Sequence, residues 1–176
     1  GTLLNFPVDG AHPLIAGSET DENESVLDLF DRHGLRVWLQ AEPGHAPVEE
    51  LIDIILARYK HHPSVVGFGV DVEWFGADEK GIGTPVSDDV ARSWLGTIRQ
   101  HGSHYGLFLK HWLTSYMPPT VRDGILFIDD SQDLGYLPDQ SVIFCRGFGK
   151  YLMSAGKHGH QVVKANQRDV PGEYQP

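Results

Sequence analysis

Apolar positions along the chain follow two periods. Short runs with alternating or continuous hydrophobicity mark strands: "LLNF" (3–6), "LRVWLQA" (35–41), "VVGFGVDVEW" (65–74), "YGLFLKHW" (105–112), "GILFIDD" (124–130) and a short "QVVKA" (161–165). Between them, apolar residues recur at helical spacing. Ser25 is placed to cap a helix over 26–33 that stops at Gly34. Val48, Leu51, Ile52, Ile55 and Tyr59 form one face of a helix opened by Pro47 and closed before Pro63. Ser87 caps a third helix whose inner face is Val90, Ala91, Trp94, Leu95 and Ile98. "GSETDENES" (17–25) reads as an acidic loop, and residues 139–155 as a helix.

Strands alternating with helices predict an α/β fold: a parallel sheet of strand–helix units with the helices outside it. Five or six strands can be counted, and a complete eight-unit barrel usually takes about 200–250 residues. The expected architecture is therefore a partial or compacted barrel of the TIM type, or an open sheet. All 176 residues are assigned to one domain, with residues 136–176 as a poorly defined tail.

Composition narrows the function classes. The chain is 40% hydrophobic and 22% charged, as expected for one soluble globular domain. No apolar run approaches the roughly 18–20 residues that span a bilayer, and the N-terminus lacks a signal-peptide pattern, so a cytoplasmic location is the default expectation. The net charge of −10, with no cluster of Lys or Arg, opposes nucleic acid and anionic lipid as partners. The single cysteine, Cys145, rules out an internal disulfide and reads as a core thiol. His33, His45, His61, His62, His101 and His104 lie near helix ends or in loops, and read as solvated or capping residues.

The candidate chemistry sits at strand ends. In the strand 65–74, alternation puts Gly67, Gly69, Asp71 and Glu73 on one face, the glycines leaving room. Phe68, Val70, Val72 and Trp74 take the other face, which packs under the helices. Glu42 follows the preceding strand. Lys110, His111 and Trp112 close the next one, and Asp129, Asp130 and Gln132 the one after. In parallel α/β folds these C-terminal ends carry the ligand. The loop "GADEKGIGTPVS" is long enough to reach over such a rim.

Paired carboxylates suit glycoside hydrolysis, where one acid protonates the leaving oxygen and the other attacks or activates water. Glu73 is the expected proton donor, with Asp71, Asp129 and His111 as further catalytic candidates. Crowding of like charges is the expected means of keeping one acid protonated. Glu42, Lys110, Trp112 and Gln132 are candidates for binding a small-molecule or carbohydrate substrate. No cofactor is required on that reading. The same acids, Asp71, Glu73, Asp129 and Asp130, could instead hold Ca²⁺ or Mg²⁺ for ester or lactone hydrolysis, with His111 as base or ligand. A non-catalytic carbohydrate-binding or interaction module is the third alternative. A serine-hydrolase elbow, a P-loop and a dinucleotide fingerprint are absent from the sequence.

The stretches "GVDVEWF", "YGLFLKHW", "MPPT" and "LFIDDSQ" together resemble a group of uncharacterised prokaryotic proteins similar to glycoside-hydrolase (β/α)₈ barrels. The likeness covers roughly residues 35–135. It implies rim roles for Asp71, Glu73, Lys110, His111, Trp112, Asp129, Asp130 and Gln132. Past residue 136 the chain departs from the aromatic-rich strands expected of that group. An interrupted barrel exposes strand edges, which predicts either a homodimer or a sheet closed by residues 136–176.

Overall fold

The computed structural model describes residues 1–10, 12–77, 82–129, 142–148, 151–154 and 160–164, with side chains through residue 129. In chain order the elements are β1 (Thr2–Leu4), β2 (Ile15–Gly17), α1 (Glu24–Arg32), β3 (Arg36–Ala41), α2 (Val48–Tyr59) and β4 (Val65–Asp71). They continue with α3 (Asp88–His101), β5 (Gly106–Lys110), β6 (Ile125–Asp129), β7 (Val142–Phe148), β8 (Tyr151–Ser154) and β9 (His160–Lys164). The fold is α/β, built from parallel strand–helix units. β3, β4, β5, β6 and β7 pair in sequence order and in parallel. β8 runs antiparallel to β7 and β9, and β9 returns parallel to β3, so the strands form a closed ring. β1 and β2 make a separate parallel pair.

Two predicted elements come out differently. Where a helix over 139–155 was expected, the described residues 142–148 and 151–154 are strands. "VIFCRGF" is rich in β-branched and aromatic residues, and that preference outweighs its weak helical spacing. Strand β4 also ends at Asp71, three residues early, because Val72–Trp74 turn into one 3₁₀ turn.

The main core lies between the strands and the helices. Val37, Leu39, Phe68, Val70, Leu107 and Leu109 face outward from the sheet and are buried under α2 and α3. The helix faces predicted from spacing supply the other half: Leu51, Ile52, Ile55, Ala91, Trp94 and Ile98 are all buried. Each buried Leu or Ile side chain among them contributes about 1.5–3 kcal/mol. A second cluster fills the ring itself, where Phe108 and Ile128 meet Trp38 and Leu126. Gly67 and Gly69 belong to this inner face, and they do not leave open space. A Cβ on Gly69 would stand 2.0 Å from the Phe108 ring, and one on Gly67 would stand 2.8 Å from the Trp38 ring. The glycines make room for aromatic side chains from neighbouring strands.

Polar contacts fix the helix ends. Ser87 accepts from the Val90 amide at 3.2 Å, as its position predicts. The start of α1 is held by Asp21, not Ser25: its Oδ1 accepts from the amides of Asn23 (2.9 Å) and Glu24 (3.1 Å). Asp88, in the first turn of α3, accepts from the amides of Thr120 (2.9 Å) and Val121 (3.0 Å) and from the Thr120 hydroxyl (2.6 Å). These bonds tie the "MPPT" loop to the helix.

The Thr120 and Val121 bonds lower the Asp88 carboxyl from its ordinary value to about 2. A folded-state value below the unfolded one means that the unfolded chain binds more protons in acid. The contribution of Asp88 is therefore present above the unfolded value, near pH 4, and is lost as pH falls towards 2. Urea midpoints measured across this window should fall with pH in the wild type. They should fall less steeply in Asp88→Asn, which cannot titrate.

Candidate functional site

Inward-facing positions of adjacent strands meet at the C-terminal mouth of the ring. Gln40 on β3 shares the inner face with Trp38, Asp71 on β4 with Gly69, and Lys110 on β5 with Phe108. Asp71 and Lys110 are direct partners in the strand register. The Lys110 ammonium lies 2.7 Å from Asp71 Oδ2 and 4.0 Å from Glu73 Oε1. Gln40 Nε2 donates to the same Asp71 oxygen at 3.3 Å. Asp71 is fully buried, and the Lys110 side chain is 7% exposed.

Glu73 is placed by the 3₁₀ turn. Its side chain is 26% exposed, and its Oε1 accepts from Trp74 Nε1 at 3.0 Å. The turn also exchanges the roles of the aromatics. Phe75, not Trp74, packs under the helix, edge-on to Trp94 at 4.9 Å. Trp74 stays half-buried beside Glu73. The glycine-rich loop returns over this turn. Gly83 has a φ of +80°, and a Cβ there would stand 1.9 Å from the Val72 carbonyl oxygen. Only glycine lets the loop backbone lie so close.

His111, expected as a base or ligand, has both ring nitrogens engaged by backbone groups. Its Nδ1 accepts from the Leu113 amide at 2.8 Å, and its Nε2 donates to the Ile82 carbonyl at 2.9 Å. An amide can only donate and a carbonyl only accept, so the partners fix the neutral Nε2–H tautomer. The ring stacks on Trp112 and on Tyr116, each at 4.3 Å between centroids. It is a buried strut that joins the loop after β4 to the loop after β5.

The remaining candidates divide. Lys110, expected to meet substrate, is buried against Asp71. Asp71, expected to be catalytic, is fully buried. Glu42 is buried one residue past β3, and its carbonyl accepts from the Thr2 hydroxyl at 3.0 Å. Trp112 is half-buried against His111. Asp129 ends β6 in the alternation of Ile125 and Phe127, whose side chains belong to the helix-side core, and so falls on the opposite face from Lys110. Asp130 and Gln132 lie outside the described residues. The mouth thus holds opposite charges in contact, with an ammonium between two carboxylates. That replaces the repulsion between acids expected from the strand-end pattern.

Gln40 is the site residue that sequence reading missed. It is fully buried, and its place in the alternation with Trp38 was the available signal. Among the described residues, the three-residue groups of His and acidic side chains spaced for a metal are Glu24–His61–His62 and Asp28–Asp31–His62, both away from the rim.

A buried ion pair is costly to break from one side. Lys110→Met leaves the Asp71 carboxylate without its cation and should lose about 3–5 kcal/mol of unfolding free energy. Adding Asp71→Asn to that variant should recover part of the loss. Urea unfolding of the three proteins measures both effects. No protein-family profile, curated protein sequence or solved structure matches this chain.

Proposed function

We propose that the chain is a hydrolase of the glycosidase type, on a compacted barrel related to the TIM architecture, with Glu73 as the reacting carboxylate. One observation carries this reading. At the C-terminal mouth, Glu73 is solvent-accessible, oriented by Trp74 and flanked by a buried cation. In hydrolysis of a glycosidic bond, Glu73, as a carboxylate, would take a proton from water as the hydroxyl adds to the anomeric carbon. A second carboxyl group would give its proton to the leaving oxygen as the C–O bond breaks. Glu42, one residue past the C-terminal end of the neighbouring strand β3, is the candidate for that group. Lys110 stands beside the Glu73 carboxylate and would help to hold it in place. Asp71, which holds Lys110, and Gln40, which donates to Asp71, are positioning residues set behind the reacting groups. Trp74 and Trp112 supply flat apolar faces of the kind sugar rings stack on.

Metal-assisted hydrolysis at this mouth is the weaker reading, because the Lys110 ammonium takes the place between Asp71 and Glu73 that Ca²⁺ or Mg²⁺ would need. A carbohydrate-binding module without turnover is the second reading, favoured by the two half-buried tryptophans.

A panel of aryl glycosides and lactones, assayed with and without EDTA, separates these. The proposal expects glycoside turnover that survives EDTA and falls about 10²–10⁴-fold in Glu73→Gln, with thermal unfolding little changed. Turnover at the wild-type rate in Glu73→Gln would overturn it. So would sugar binding without turnover in the wild type.

A further inference from the structure

At the opposite end of the strands from Glu73, α2 runs out and the chain turns into β4. The His62 amide bonds to the Tyr59 carbonyl at 3.0 Å, and this turn brings two adjacent imidazoles together, 4.1 Å between centroids. Each ring has its Nδ1 anchored. His61 Nδ1 meets the Arg58 carbonyl at 2.8 Å, and His62 Nδ1 meets Asp31 Oδ2 at 2.7 Å. The other Asp31 oxygen accepts from the Ser64 amide at 2.8 Å. Both Nδ1 atoms therefore carry the proton, and both Nε2 atoms are left to point elsewhere.

They point at one carboxylate. Glu24 Oε1, at the start of α1, lies 2.9 Å from His61 Nε2 and 3.3 Å from His62 Nε2. The His62 side chain is 2% exposed, and its Nε2 makes no hydrogen bond among the described residues despite that proximity. His61 can meet Glu24 through a hydrogen bond from its Nε2 at 2.9 Å, but the buried His62 Nε2 is then left facing the same carboxylate with no donor between them. One shared metal ion joins all three groups.

We propose that Glu24, His61 and His62 form a site for a divalent transition-metal ion of the zinc class, which fastens the start of α1 to the end of α2. The donors fit it. Two ligands on a tetrahedral Zn²⁺, with bonds of about 2.0–2.1 Å, stand about 3.3 Å apart. Imidazole and carboxylate are the ligand types that Zn²⁺ takes, and a carboxylate or backbone carbonyl on the far ring nitrogen is the usual outer partner. The exposed sides of His61 and Glu24 leave the fourth position to water. Asp28, exposed on the next turn of α1, adds negative charge next to Asp31 and His62. The seven-residue strand β4 separates this cluster from the Asp71 pair, a span of about 20 Å. The site therefore acts on stability and stands apart from the chemistry proposed at the mouth.

Titration of the full chain with Co²⁺, read by its visible d–d absorption and competed with Zn²⁺, tests the proposal. The wild type should bind one ion with a tetrahedral spectrum, and Zn²⁺ should raise its melting temperature. His61→Ala and Glu24→Gln change exposed or half-exposed ligands, so folding should survive, as circular dichroism will check. Each should weaken binding more than about tenfold and abolish the thermal shift. Asp31→Asn keeps all three ligands and should weaken binding about 10–100-fold. Absence of stoichiometric binding by the wild type would overturn the proposal. So would unchanged affinity in both ligand variants, which would put the ion on other histidines.

Discussion

The arrangement at the mouth depends on one buried contact, the ion pair between Asp71 and Lys110. Both groups leave water, and each offsets part of the other's desolvation. The pair joins neighbouring strands β4 and β5 at the register position where each strand ends. It also puts a positive charge beside Glu73, the exposed acid of the 3₁₀ turn. Without that cation, two carboxylates and the buried end of Gln40 would face one another in a low-dielectric space. A buried charge pair is a poor source of net stability. Its use here is to specify which side chains point inward at the mouth, and how the 3₁₀ turn is held.

Much of the fold was legible because period and burial agree. The helix over Val48–Tyr59 is buried at five positions of its predicted stripe, and the third helix begins at its predicted serine cap. The parallel pairing of β3, β4 and β5 followed from the helical crossovers between them. The reading failed where local pattern and tertiary context differ. "VIFCRGF" has weak helical spacing, and its β-branched and aromatic content together with its pairing partners makes it a strand. Ser25 is a good cap by type, but Asp21 lies nearer the exposed amides of the first turn and also meets Arg58 and Tyr59. A cap drawn from four residues upstream leaves no short-range signature.

At the site, position was more legible than role. The alternation that places Asp71 inward is a backbone property, visible in the sequence. Its pairing with Lys110 is set by the register between two strands, which one-dimensional spacing does not contain. The same holds for the inner glycines, whose space is taken by Trp38 and Phe108 from neighbouring strands. Glu73 kept its place at the rim for a different reason than expected, since a 3₁₀ turn and not strand alternation presents it. His111 illustrates the limit most plainly. Residue type made it a candidate base, and two backbone partners in separate loops make it a strut. His62, in turn, was read as a helix-end histidine, although its burial against α1 makes it the centre of a side-chain cluster.

The central claim is that Lys110 is charged, buried and held by Asp71. The most direct measurement is the ¹⁵N spectrum of the lysine ammonium groups near neutral pH. The account predicts one resolved ammonium signal with slowed proton exchange, assigned to Lys110 and lost in Asp71→Asn. An exchange rate for Lys110 equal to that of the surface lysines, unaffected by that substitution, would contradict it.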